Sequence, residues 1–125
     1  MLPLYELIDA IERKSVTDAK SALEKHADPN GRTFYKMSML QLTEKHHANE
    51  VVPLLLEYGA NLYELIGNKG EYLLHRAARN ENVGFVCVLL EAGMSPNLQN
   101  AKGETPLHIA ARTGQAYLAK YLLKH

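Results

Sequence analysis

A period of about 33 residues constrains this chain more than any other feature. Counted backward from Thr105, equivalent first positions fall at Tyr72, Ser38 and Tyr5, in steps of 33, 34 and 33 residues. The last two copies share most. Tyr72-Leu73-Leu74-His75-Arg76-Ala77-Ala78 stands over Thr105-Pro106-Leu107-His108-Ile109-Ala110-Ala111. The second copy carries Leu40 and Leu42, then the apolar run Val51 to Leu56 closed by Gly59; the first carries Leu7, Ala10 and Ile11, then Ala19, Ala22 and Leu23. Self-similarity at this spacing marks stacked units, each too small to bury both of its apolar faces alone.

Within a copy the local signals run turn, helix, short turn, helix, glycine, hairpin. Gly103 and Glu104 make a turn, and the Thr105 hydroxyl can cap a helix. Pro106 follows at the first helical position, where its missing N–H is no loss. Ala110 and Ala111 are small enough for close helix approach, and Leu118, Leu122 and Leu123 share one face of a second helix near 115–124. Gly59 and Gly93 fall where a helix ends in a left-handed residue.

Thr105-Pro106-Leu107-His108 followed by two alanines resembles the opening of an ankyrin repeat, and the resemblance extends over the whole chain. It implies an all-α ankyrin-repeat solenoid, one domain over 1–125 with four stacked helix-turn-helix pairs and projecting hairpin loops. Repeats are expected at about 1–32, 33–66, 67–99 and 100–125, with helix pairs near 5–25, 38–58, 72–92 and 105–125. His75 and His108 occupy the histidine of the signature, which by the resemblance bonds loop backbone and ties neighbouring repeats. The first copy, with Glu6, Asp9, Glu12, Arg13 and Lys14 on its first helix, reads as an N-terminal cap.

Several positions depart from the pattern. His26 stands where copies two and three have glycine, so a histidine is expected in a left-handed conformation. Thr43-Glu44 replaces the alanine pair, and Glu44 needs a partner or a path to solvent. Pro53 is tolerable in the first turn of its helix, with Asn49 as the expected cap. One extra residue between Gly59 and Tyr72 lengthens the hairpin around Leu65-Ile66-Gly67, so copy two reads as the weakest.

Composition removes other classes. Fourteen basic residues balance 14 acidic ones, so no whole-protein field points to nucleic acid or a membrane surface. The single Cys87 makes no internal disulfide, and no apolar run approaches the roughly 20 residues that span a bilayer. Charges inside the first apolar stretch are wrong for a signal peptide. A cytoplasmic protein is expected, or one in a host cytosol if it is a secreted effector. His46 and His47 point about 100° apart on a helix, which is poor geometry for one metal ion. Gly67-Asn68-Lys69-Gly70 lacks the Lys-Ser/Thr and strand of a phosphate loop. No catalytic residue, cofactor or metal is assigned, and an enzyme is not expected.

The resemblance implies a non-catalytic interaction scaffold, an adaptor or an inhibitor of the immunity type; the alternative is a targeting domain of a larger enzyme or effector. Partners of such repeats dock on the hairpin tips and the exposed face of the first helices. By position these are Phe34, Tyr35 and Met37 in the first finger, Lys69 and Glu71 in the second, and Lys102 and Glu104 in the third. The first-helix positions are Glu12, Arg13, Lys45, His46, Arg79, Asn80, Arg112 and Thr113. Cations outnumber carboxylates in this set, which points to an acidic protein partner with an apolar anchor. Self-association through the last copy is a further option, because an internal-type repeat there leaves apolar surface uncovered.

Overall fold

The computed structural model describes residues 2–66 and 70–125, and these form two compact units divided after Leu62. The first unit, residues 1–62, holds α1 (Pro3–Glu12), α2 (Val16–Glu24) and α3 (Met39–His46). A 3-10 turn (Asn49–Val51) then leads into α4 (Val52–Glu57). The second, residues 63–125, opens with β1 (Leu65–Ile66) and β2 (Glu71–Tyr72). It continues with α5 (Leu73–Arg79), α6 (Val83–Glu91), α7 (Pro106–Arg112) and α8 (Ala116–Leu123). Among the described residues four helix pairs thus appear at the expected places, and the fold is all-α with little strand.

Capping explains where the helices start. Ser38 and Gln41 form a reciprocal capping box on α3, and Thr105 and His108 form one on α7. Ser15 and Asn82 cap α2 and α6 through side-chain oxygens. Asn49 does not cap. The chain turns helical at Asn49 itself, in the 3-10 turn, and its side-chain oxygen is buried without a hydrogen-bond partner among the described residues. Pro53 sits in the first turn of α4 as expected.

The ends follow the period as well. Gly59 and Gly93 take φ +101 and +105, and His26 takes the equivalent conformation at φ +73. The longer hairpin becomes a short antiparallel ladder, Leu65 opposite Tyr72 and Ile66 opposite Glu71. Gly67, in the lengthened hairpin, lies outside the described residues.

In the first unit, Leu7, Ala10 and Ile11 of α1 pack with Ala19, Ala22 and Leu23 of α2, and α1 also contacts α3. Met39, Leu40, Val52 and Leu55 complete that core. Glu44 is buried at 8% exposure and is not without a partner. In the second unit Leu73, Leu74, Ala77 and Ala78 of α5 meet Phe85, Val86 and Leu89 of α6, and α5 packs on α7 through Ile109 and Ala110.

Candidate functional site

The first finger is a tight turn. Arg32 bridges Ser38, Thr33 N–H donates to Met37 O at 2.9 Å, and Lys36 N–H closes on Thr33 O at 2.8 Å. Lys36 takes φ +64 at the tip. Phe34 and Tyr35 are 94% and 86% exposed, and their rings meet edge to face at 5.5 Å. They project from the finger and do not fold back over the first helix pair. Met37 is half-buried at its base, and Lys45 is exposed on α3.

Five of the sequence-selected residues come together in the second unit. Glu71, Arg79, Lys102, Glu104 and Arg112 line a groove of about 360 Å³ with Asn100, and Ile109 contributes apolar lining. Asn80 is exposed but does not line it, and Lys69 lies outside the described residues. Two ion pairs repeat one period apart: Arg79 holds Glu71 with its two terminal guanidinium nitrogens, Nη1 and Nη2, and Arg112 holds Glu104. The Arg112 bond, helped by Asn100 Nδ2 at 3.2 Å, keeps the Glu104 carboxyl below the ordinary glutamate range. The groove is therefore not a bare basic strip. Arg13, also among the sequence-derived cations, pairs with Asp9 and Asp18 at 2.9 Å.

Asn100 was not singled out from sequence, yet it builds the third finger. Its Oδ1 accepts the N–H of Lys102 at 3.0 Å and of Glu104 at 2.9 Å. The signal was available, since Asn two residues before Lys-Gly is a strong side-chain turn former. Asn30 and Tyr63, equivalent by the period, reach the closing glycine of the next copy: Asn30 Nδ2 donates to Gly59 O at 3.0 Å, Tyr63 Oη to Gly93 O at 3.4 Å.

His75 ties α5 to the third finger. It is fully buried, and Nε2 lies 2.9 Å from both Leu98 O and Glu104 O. Two carbonyl acceptors on one nitrogen place the proton on Nε2, which leaves Nδ1 as a buried acceptor with no partner among the described residues. Burial holds its pKa below the ordinary histidine value, though the two carbonyls pull the other way. His108 differs from the role implied by resemblance. It is exposed, and its Nδ1 accepts the Thr105 N–H at 3.0 Å, so it serves its own helix cap.

The remaining histidines and the cysteine form no obvious centre. His46 Nε2 lies 3.9 Å from a Glu12 carboxylate oxygen, while His47 is the left-handed cap of α3. Half-buried Cys87 interacts with the Tyr121 hydroxyl, which is pushed up to about 12, and Tyr121 stacks on His125 at 4.2 Å. Among the described residues no group of three or more His, Cys, Asp or Glu could hold a metal ion. No helix of the described residues is long and apolar enough to cross a membrane.

Helix pairs, left-handed closing residues and a histidine bonded to the next finger define a repeat scaffold. A family model of ankyrin repeats in three copies matches residues 7–100 and again 74–125. The chain belongs to the ankyrin repeat family. Human transient receptor potential cation channel subfamily A member 1 is 30% identical over 92% of this chain, which covers 10% of that protein. The Arabidopsis thaliana E3 ubiquitin-protein ligase KEG is 30% identical over 77% of this chain and 6% of its own length. Rat diacylglycerol kinase iota is 34% identical over 68% and 8%. The chain thus spans a tenth or less of these relatives. Ankyrin repeats generally mediate protein–protein interaction and form non-catalytic modules.

Proposed function

We propose that this chain is a non-catalytic, cytoplasmic protein-binding module, an adaptor or a masking inhibitor, whose partner docks on the first finger and on the groove of the second unit. The observation that carries the reading is the pair Phe34 and Tyr35, 94% and 86% exposed at the tip of a turn closed by its own hydrogen bonds. Two preordered rings offer apolar area at small entropy cost, and aromatic anchors of this kind dominate binding energy. Arg32 and Lys36 flank the rings and Lys102 stands in the groove. The partner chemistry they fit is an apolar pocket with an acidic rim.

A second reading has its own observation. The three relatives named above are ten or more times longer than the matched segment and are, by name, a channel, a ligase and a kinase. In that setting the repeats would be the targeting domain of a larger enzyme or effector, with the same binding surfaces.

The test compares affinity capture by the wild-type chain and the Phe34→Ser/Tyr35→Ser variant, followed by titration of the purified partner. Each truncation should weaken binding by about 2 kcal/mol, roughly 30-fold. The melting temperature should stay within about a degree, since exposed positions contribute little to folding. Capture retained while the melting temperature falls by several degrees would show that these rings hold the fold, and the proposed site would be wrong.

A further inference from the structure

The two arginine–glutamate pairs of the second unit are equivalent by period but are built differently. Arg79 uses Nη1 and Nη2 together on the two Glu71 oxygens, which leaves only its Nε uncommitted. Arg112 reaches Glu104 through Nη1 alone. Its Nε and Nη2, a complete side-on fork, have no partner among the described residues. Within each pair the carboxylate lies deeper: the Glu71 and Glu104 side chains are 13% and 21% exposed, those of Arg79 and Arg112 47% and 57%. A ligand entering the groove therefore meets guanidinium edges before carboxylates. Lys102 lines the same groove, close enough that its charge adds to the Arg112 bond in holding the Glu104 carboxyl down. The Lys102 ammonium itself has no hydrogen-bond or ion-pair partner among the described residues. Asn100 is engaged within the finger, since its Oδ1 accepts two backbone N–H groups and its Nδ2 donates to Glu104.

Charge narrows what fits. Among the described lining residues Arg79, Lys102 and Arg112 face Glu71 and Glu104, so one positive charge is in excess. A single carboxylate cancels it. A run of acidic residues overshoots, and so does a phosphate monoester, with about −1.5 to −2 charges at neutral pH. The planar fork of Arg112 matches a carboxylate through two parallel N–H···O bonds, and Glu104 already holds that side chain in place, so little rotamer freedom is lost on binding. At about 360 Å³ the groove lies at the lower end of the roughly 300–1,000 Å³ of ligand sites, room for one side chain with its flanking backbone. We propose that Lys102 and the Nε–Nη2 edge of Arg112 form a subsite for one glutamate or aspartate side chain of the partner protein. Arg79, in contrast, holds Glu71 and contributes little to binding. The proposal rests on the reading that the partner enters this groove.

The probe is the capped tripeptide acetyl-Ala-Glu-Ala-amide, titrated into the ¹⁵N-labelled chain while the arginine Nε–H signals and the amides of residues 100–104 are followed. A Kd on the order of 1 mM is expected, with the Arg112 Nε–H signal moving and that of Arg79 nearly still. The glutamine counterpart of the peptide should bind about tenfold more weakly. Lys102→Ala and Arg112→Lys should each weaken the glutamate peptide by about tenfold, the first by removing the excess charge and the second by removing the fork. Arg79→Lys should stay within about twofold, and all three variants should melt within about two degrees of the parent, since the residues are exposed. The peptide has no pocket for an aromatic ring, so Phe34→Ser/Tyr35→Ser should bind it as the parent chain does. A failed titration therefore sinks the subsite while the first-finger capture test stands on its own. No shift at residues 100–104 with peptide on the order of 10 mM overturns the proposal. So does a glutamine peptide that binds equally well, or an Arg79→Lys chain that loses as much as Arg112→Lys. Inorganic phosphate that displaces the glutamate peptide at about a tenth of its concentration would assign the subsite to phosphate and overturn it as well.

Discussion

Replacing Tyr72 with threonine should stabilise the protein, although it removes an aromatic ring. In copy four, Thr105 Oγ1 lies 2.9 Å from His108 Nδ1 and accepts the His108 N–H at 3.3 Å. In copy three, Tyr72 occupies that cap position with no side-chain cap bond, and His75 Nδ1 is buried without a partner among the described residues. A threonine hydroxyl would cap α5, worth about 1 kcal/mol. It would also satisfy the buried Nδ1, whose unmet bond costs about 1–3 kcal/mol. Against this stands the loss of a half-buried ring that meets Tyr63 edge to face at 6.4 Å and lies 6.0 Å from the His75 ring. Such contacts contribute about 0.5–1.5 kcal/mol beyond area burial, and the lost apolar area adds to that. The balance favours threonine by about 1 kcal/mol, or about 3–5 °C in Tm for a chain of this size. Urea titration and thermal melts at pH 7.5 measure it, and the ¹⁵N shift of Nδ1 reports whether the new hydroxyl donates. A Tyr72→Thr variant that is less stable while Nδ1 is bonded would show that ring packing outweighs the cap. One with Nδ1 still unbonded would refute the geometry.

Three further outcomes follow from the same structure. Because burial holds His75 below its unfolded value, the unfolded chain takes up a proton first; stability is full above about pH 6.5 and falls as pH drops below it, a slope that His75→Gln should reduce. His26→Gly should stabilise by about 0.5 kcal/mol, since relief of about 1–2 kcal/mol of left-handed strain exceeds the added chain entropy of about 0.5–1 kcal/mol; an unchanged or lower urea midpoint would count against it. Hydrogen exchange should show α3 and α4 less protected than α5 and α6, because copy two buries Glu44 and its second α-helix is only six residues long; equal or greater protection would contradict this.

The period, read from sequence, determined the four helix pairs, and local signals gave the capping at Thr105 and the left-handed closing positions at His26, Gly59 and Gly93. These are local properties: a hydroxyl before a helix, a proline at its first turn and an apolar face every three or four residues act within one or two turns of chain. Exposure of Phe34 and Tyr35 was legible for the same reason, since a finger tip has no neighbours to bury it. The Glu71–Arg79 and Glu104–Arg112 pairs were not, although all four residues had been selected. Each pair is eight residues apart, and its meeting depends on how a finger crosses back over the following helix, which no local preference encodes. Asn49 failed as a cap because the chain is already helical at Asn49 itself, in a 3-10 turn, so that Ala48 holds the cap position. His75 shows the division most clearly. Its position in the motif announced a bond to the next finger, but only the folded neighbourhood, with tyrosine where copy four has threonine, left its second nitrogen buried and unmet among the described residues.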